Sequence, residues 1–266
     1  MFEKDDIPRV PNDTLQEQVY RQLRHLLMTG HFRPGQALKI RDLAESFSTS
    51  MQPVREAIRQ LVAERALEAS PNASTRVPRL NHAQLEDLRS IRITVEGLAA
   101  ERALARMKKA DIDELERILS AEMAADDDQH IAASVARNLE FHFRLYSHSG
   151  SDILPSIIEG LWLRLGPSIR DAAELFDARN GKGGAHHRDM LKALRRADAV
   201  AIRTAVEQDI NRFFAVLAEE QTAIASTPHE RKRRLKIVAA GSDTVTAPPR
   251  VPAPRGRPRK TPPSQT

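Results

Sequence analysis

The sequence predicts a mainly α protein in two parts: a small N-terminal domain of three helices and a hairpin, and a larger all-α antiparallel helical bundle. Three observations carry that expectation. Apolar residues recur at spacings of three and four through most of the chain, aromatics are only 4%, and there are just 11 glycines in 266 residues. A sandwich or barrel needs more β-branched and turn-forming residues than this. The 41% hydrophobic content is enough for two cores. With no cysteine, disulfides, thiolate metal sites and thiol catalysis are excluded. No apolar run is long enough to span a bilayer and the charged start carries no apolar leader segment, so the cytoplasm, in association with the nucleoid, is the expected address.

The elements follow in order. Residues 1–12 are expected to be a flexible N-terminus. From Asp13 to Met28, Leu15, Val19, Leu23, Leu26 and Leu27 form one stripe, with Asp13 or Thr14 as cap and Gly30 as stop. Pro34-Gly35 makes a turn, because proline presets φ at its first central position and glycine accepts positive φ at its second. Ile40 to Phe47 reads as a short helix with Leu43, Ala44 and Phe47 inward. Ser48-Thr49 breaks it before a third helix from about Ser50 to Arg65, whose inward face is Val54, Ala57, Ile58, Leu61 and Val62. Pro53 sits in that helix's first turn, where its missing N–H has no intrahelical role. Leu67 to Ala69 and Thr75 to Val77 are short β-like runs around the turn-rich Ser70 to Ser74, a two-stranded wing. Residues 13–79 therefore read as a winged helix-turn-helix.

Past Arg79, Asn81 and Gln84 form a capping-box signal for a long helix with Leu85, Leu88, Val95, Leu98 and Ala99 on its stripe. Asp111 with Glu114 is a second capping signal, Ile131 to His148 is a helix stopped by Gly150, and Asp198 opens a last one to about Ile224. Residues 81–225 are thus expected to be a bundle of six or seven helices, and residues 226–266, where periodicity stops, a disordered basic tail.

Charge divides along the same lines. Residues 8–80 hold 11 Lys/Arg against 7 Asp/Glu, residues 81–226 hold 19 against 24, and residues 227–266 hold 10 against 2, within a net charge of +5. Basic ends around an acidic middle point to a polyanionic partner, double-stranded DNA, with ordinary surface solvation as the bland alternative.

Arg33-Pro34-Gly35, Leu43-Ala44-Glu45, Pro53 to Ile58, Leu61 to Leu67 and Ser70-Pro71-Asn72 closely resemble the GntR family of bacterial transcription regulators. The resemblance implies DNA contacts at Arg41, Ser50 and Arg55 and at the wing tip, Asn72 and Ser74. Gln52, at the exposed start of the third helix, and Arg76 on the wing join the candidate set. For Arg76, as for Arg59, a phosphate contact or simple solvation is the expectation. Arg55, opposite Ile58 and Leu61, is placed to fork onto a guanine in the major groove. Met51 stands where many relatives carry arginine, so an operator sequence does not transfer.

Arg92 to Glu96, Asn138 to His142, Ser149-Gly150 and His187-Arg188 resemble the helical effector domain of the FadR subfamily, also called FCD. Carried over by position, the metal set is Asn138, His142, His187 and Asp209, with His186 the alternative if the register slips. Asn138 and His142 lie at i and i+4 on one helical face. An asparagine replaces the usual first acid and Asp209 the usual last histidine, leaving two imidazoles and a carboxylate, suited to a divalent ion such as Zn, Ni or Mn. The competing reading makes these hydrogen-bonded core histidines with Asp209 paired to an arginine. Arg92 is the candidate effector residue for an organic acid, or else the i,i+4 partner of Glu96.

In the tail, Arg255, Gly256, Arg257, Pro258 and Arg259 resemble an AT-hook for a narrow minor groove, with a generic basic tail as the alternative. No nucleophile, acid and base constellation accompanies the histidines, so an enzyme is not expected. The overall expectation is a ligand-responsive homodimeric regulator, a repressor, on a pseudo-palindromic operator, set against an architectural binder of A/T-rich DNA acting through the tail.

Overall fold

The computed structural model describes residues 14–69, 75–127, 131–178 and 184–226. Among these, nine helices and three very short strands are formed. The N-terminus 1–12, the wing-tip residues Asn72 and Ser74, and Arg255 to Arg259 of the tail lie outside the described residues.

Helix α1 (Leu15–Met28) starts at Thr14, whose hydroxyl accepts the Glu17 N–H, and buries Val19, Leu23, Leu26 and Leu27. Leu15, expected on the stripe, is instead 53% exposed, because it lies in the first turn before the helix meets its neighbour. Gly35 closes the expected turn at φ +81°, with the Gln36 N–H bonded to the Arg33 carbonyl. Strand β1 (Ala37–Leu38) follows, then α2 (Ile40–Ser46) and α3 (Met51–Ala63). Ser48, at φ +53°, reverses the chain between those two helices. Val54, Ala57, Ile58 and Leu61 of α3 are buried against α1 and α2, while Phe47 and Val62 are only half-buried.

The wing differs from expectation. Strands β2 (Glu68–Ala69) and β3 (Thr75–Arg76) pair antiparallel, and β1 adds to the other edge of β3, giving the order β1-β3-β2. Ala37 faces Arg76 and Leu38 faces Thr75. Two residues are too few to show a period of two, so β1 had no signature.

Helix α4 (His82–Leu104) opens with the complete capping box between Asn81 and Gln84. Its inward stripe is shifted from the expected one: Leu98 is 41% exposed, whereas Arg92 and Glu96 are buried. Helix α5 (Lys109–Asp127) begins before Asp111, whose carboxylate reaches back to accept the Lys108 N–H. Helices α6 (Ile131–Ser147), α7 (Leu154–Ala178), α8 (Ala185–Arg196) and α9 (Ala199–Ser226) complete the bundle. Asp198 caps α9 through the Ala201 N–H, and that helix runs through Ser226, the residue assigned from sequence to the tail. Helices α4 and α9 are antiparallel, tied by Arg89 to Asn211 near one end and Arg203 to Glu101 near the other. Arg144 to Glu114 does the same for α6 on α5.

The winged domain is seated on the bundle through α1 and α7. The contact is backbone to backbone: a Cβ at Gly166 would lie 2.3 Å from the Leu27 carbonyl oxygen, and one at Gly30 would lie 2.6 Å from Arg170 Cβ. Gly30 also holds φ +68°. We therefore expect Gly166→Ala to destabilise the full chain by about 1–3 kcal/mol in urea unfolding, since the obstructing atoms are main chain and cannot rotate away. Unchanged unfolding would show that the seat is loose.

Candidate DNA-reading face and ligand cluster

The solvent-facing side of the winged domain gathers most of the predicted contacts. Ser50 is the exposed N-cap of α3 and makes no side-chain capping bond, so its hydroxyl remains available. Met51, Gln52, Arg55 and Arg59 are exposed along the start and outer face of α3. Arg41 is exposed on α2, its guanidinium 3.8 Å from Asp42, and Arg76 is exposed on β3. A helix N-terminus bearing these groups fits the major groove by its donors and by its positive dipole end. Met51, 49% exposed, presents an apolar surface of the kind that suits a thymine methyl.

Glu56 is the residue here that sequence reasoning missed. One of its carboxylate oxygens accepts from Gln52 Nε2 at 3.0 Å and from Arg59 Nη1 at 2.9 Å. The i,i+4 and i,i+3 spacings around it were the available signal.

Within the bundle, three helices bring the predicted ligands together. Asn138 and His142 come from α6, His187 from α8 and Asp209 from α9. The two Nε2 atoms face each other at 3.1 Å, and Asp209 lies 3.3 Å from His142 Nε2 and 3.8 Å from His187 Nε2. One donor atom from each of His142, His187 and Asp209 falls within 4.8 Å of the others. Asn138 places its side-chain amide 3.3 Å from His187 Nε2. Of the two adjacent histidines, it is His187 that is buried in the cluster. His186 is half-buried beside it, outside the cluster, and its Nδ1 has no hydrogen-bond partner among the described residues.

What surrounds the imidazoles fixes their chemistry. His187 Nδ1 is 3.0 Å from the buried Glu122 carboxylate and must donate to it. Tyr146 gives its phenolic hydrogen to Glu96 at 2.9 Å, so at the 3.1 Å contact with His142 Nδ1 the histidine is the donor. In their neutral forms both rings then carry their hydrogen on Nδ1 and turn Nε2 toward each other and Asp209, whereas a protonated His142 donates through Nε2 to the Asp209 carboxylate. So close a set of Nε2 and carboxylate atoms needs a proton, an amide hydrogen such as that of Asn138, or a metal cation between its members.

The charges respond to this crowding. Burial pushes the His187 pKa down but is outweighed by Glu122, so it is raised. Burial pushes Asp209 up but is outweighed by the hydrogen bond to His142 and the neighbouring imidazoles, which hold it well below the carboxylate range. Its side chain is 21% exposed against 1% and 2% for His142 and His187, so solvent meets the cluster along the Asp209 edge.

Glu96 links the cluster to the rest of the bundle. It also accepts from Trp162 Nε1 at 3.1 Å and from Arg92 Nε at 2.5 Å and Nη2 at 3.2 Å. The Arg92 guanidinium stacks over the Trp162 ring at 4.4 Å. Arg92, expected to face an effector or to make a weak surface pair, is 3% exposed with two of its nitrogens on Glu96. Glu122, Tyr146 and Trp162 were missed from sequence. Tyr146 follows His142 by four residues on the same face and was findable on that ground; a buried Glu122 among alanines carries no local sign.

The FCD domain family matches residues 87–212, and the family described as bacterial regulatory proteins, gntR family, matches residues 15–77. The HTH-type transcriptional regulator McbR of Escherichia coli K12 is 30% identical over 207 residues, covering 76% of this chain and 92% of McbR. The HTH-type transcriptional repressor GlaR of the same organism is 28% identical over 147 residues, covering 54% of this chain and 67% of GlaR. The solved structure of E. coli McbR/YncC superposes with a TM-score of 0.75 at 28% identity, over 79% of this chain and 99% of that one.

Both tyrosines of the chain give a direct check on the geometry. Burial and the Glu64 hydrogen bond push Tyr20 up to about 12, and burial and Glu96 push Tyr146 well above the usual phenol range. A raised folded-state pKa favours the neutral phenol, so its contribution to stability is intact below pH ~10 and is lost as pH rises through about 12. Native protein should therefore show no tyrosinate absorbance near pH 10, while denatured protein does; a native rise there would place one phenol in water.

Proposed function

The chain belongs to the GntR family of bacterial regulatory proteins, with an FCD domain behind its DNA reader, and from that premise we propose that it is a metal-containing homodimeric repressor that answers to a small organic acid. The family's members regulate transcription and bind DNA. The observation that carries the finer reading is the inward convergence of the His142 and His187 Nε2 lone pairs on Asp209, each ring anchored through Nδ1.

His142, His187 and Asp209 would hold a divalent ion such as Zn, Ni or Mn. Asn138 would add an amide oxygen once its side chain is turned, since the oxygen and nitrogen of an amide are interchangeable in placement. The bound ion would supply a Lewis-acidic position at the Asp209 edge, where a carboxylate effector can enter from solvent. Glu122 and Tyr146 keep the imidazoles in the ligating tautomer. Arg92 neutralises Glu96 and, beside the cluster, raises the preference for an anionic ligand rather than offering it a free fork.

Repression is supported by the likeness to GlaR, a transcriptional repressor. Two copies would present two α3 helices to successive major-groove faces of a pseudo-palindromic site. An effector changes DNA affinity only through unequal affinity for the free and DNA-bound forms.

Two measurements test this reading. Metal analysis after loading should find one ion per chain in the parent protein, none in His142→Ala, and a 10–100-fold weaker affinity in Glu122→Gln; loss of no metal in His142→Ala would reject the ligand set. On a duplex enriched by the chain from random sequence, Arg55→Ala should cost roughly 1–3 kcal/mol and relax selectivity at one base, while Arg76→Ala should weaken all sequences alike.

A further inference from the structure

We infer that α7 positions the recognition helix α3, through a chain of side chains running Glu159, Arg24, Tyr20, Glu64, and that Trp162 on the same helix couples that chain to the buried ligand cluster. The second half rests on the metal reading above; the first half does not.

The chain of contacts is continuous. Glu64 is the C-cap of α3, and its Oε1 accepts from the Tyr20 hydroxyl at 2.5 Å and from Gln60 Nε2 at 3.2 Å. The Arg24 guanidinium lies over the Tyr20 ring at 5.4 Å. Arg24 Nη2 reaches Glu159 Oε2 on α7 at 3.3 Å. One turn further along α7, Trp162 donates to Glu96 and packs on His142 with ring centroids 5.2 Å apart. One turn beyond that, Gly166 lies against the backbone of Leu27 and Met28.

The physical argument is one of rigidity. Backbone touches backbone at Gly166, so α1 cannot slide along α7 by repacking side chains; it can only tilt about that point. Tilt is set on the α3 side by Tyr20, Arg24 and Glu159. Pro167, just after the contact, lacks the N–H that would bond the Leu163 carbonyl, so α7 is weakest beside the seat. A change in how Trp162 packs on His142 therefore reaches Glu159 within one helical turn, and from there the C-terminal end of α3. Arg33 to Asp171, at 3.6 Å, makes a parallel tie beyond Gly166.

Trp162 is the only tryptophan in the chain, so its emission reports on α7 without a label. Because coupling is reciprocal, DNA bound to the reader must alter the surroundings of Trp162 if the strut exists. The experiment titrates the full chain, with and without added Mn²⁺, with a duplex that it enriches from random sequence, following Trp162 emission alongside binding anisotropy. The parent protein should show an emission change that saturates with DNA binding. Tyr20→Phe and Glu159→Ala should still bind the duplex within about fivefold, since both positions lie away from the exposed start of α3, but should lose the emission change. Glu64→Gln, which keeps an acceptor for Tyr20, should retain it. Two results overturn the strut: Trp162 emission unchanged at saturating duplex in the parent, or a full change preserved in Tyr20→Phe and Glu159→Ala. A change identical with and without Mn²⁺ keeps the strut and detaches it from the metal, while absence of bound metal in the separate analysis rejects the metal reading alone.

Discussion

A fully buried carboxylate, Glu96, is the constraint around which the bundle is organised. An ion of that size removed from water carries a penalty of several kcal/mol, which only dense hydrogen bonding offsets. Arg92 from its own helix, Tyr146 from α6 and Trp162 from α7 supply the donors, so one charge ties three helices at fixed distances. Removing any donor would leave the charge under-satisfied, which makes the arrangement all-or-none. The same carboxylate dictates the ligand cluster at one remove, because by taking the Tyr146 hydrogen it obliges His142 to donate through Nδ1 and turn its lone pair inward.

That arrangement bears on how the helical bundle and the winged domain are joined. Trp162 belongs both to the Glu96 network and to the helix on which the winged domain sits. Packed helices are stiff against compression and poor at absorbing small displacements, so a shift at one end of α7 has to appear elsewhere. The contact through Gly30 and Gly166 leaves no layer of side chains to take it up.

Much of this was legible in the sequence, and the boundary is physical. Long amphipathic helices and their caps were readable because Thr14, Asn81 and Asp198 have one job and sit where the stripe begins. The winged reader was readable because its turns are chemically demanding: Pro34-Gly35, and the break at Ser48. The candidate metal set of Asn138, His142, His187 and Asp209 came from position within a resemblance, and the structure brings the four side chains close together. The α4 stripe was misjudged at Leu98, because polarity alone cannot tell that Arg92 and Glu96 satisfy each other indoors and so rotate the buried face toward themselves. Strand β1 exists only because β3 offers it an edge, and Glu122 meets the histidine cluster only because His187, 65 residues later, folds onto it. Such partnerships are tertiary, and no window along the chain contains them.

The carboxylate of Glu56 in the middle of the reading helix has a consequence for searching a genome. It occupies Gln52 and Arg59 in the free protein and sets a negative charge among groups that approach phosphates. Under the proposed docking, Gln52 and Arg59 would have to leave Glu56 to meet DNA, and on arbitrary sequence, with its charge opposing the duplex, they would gain little by doing so. The exchange would be favourable only where a base offers Gln52 a matching partner and a phosphate receives Arg59. A helix docked in that way would trade strength on random DNA for quicker departure from it, shortening the time to find a rare target among very many wrong ones.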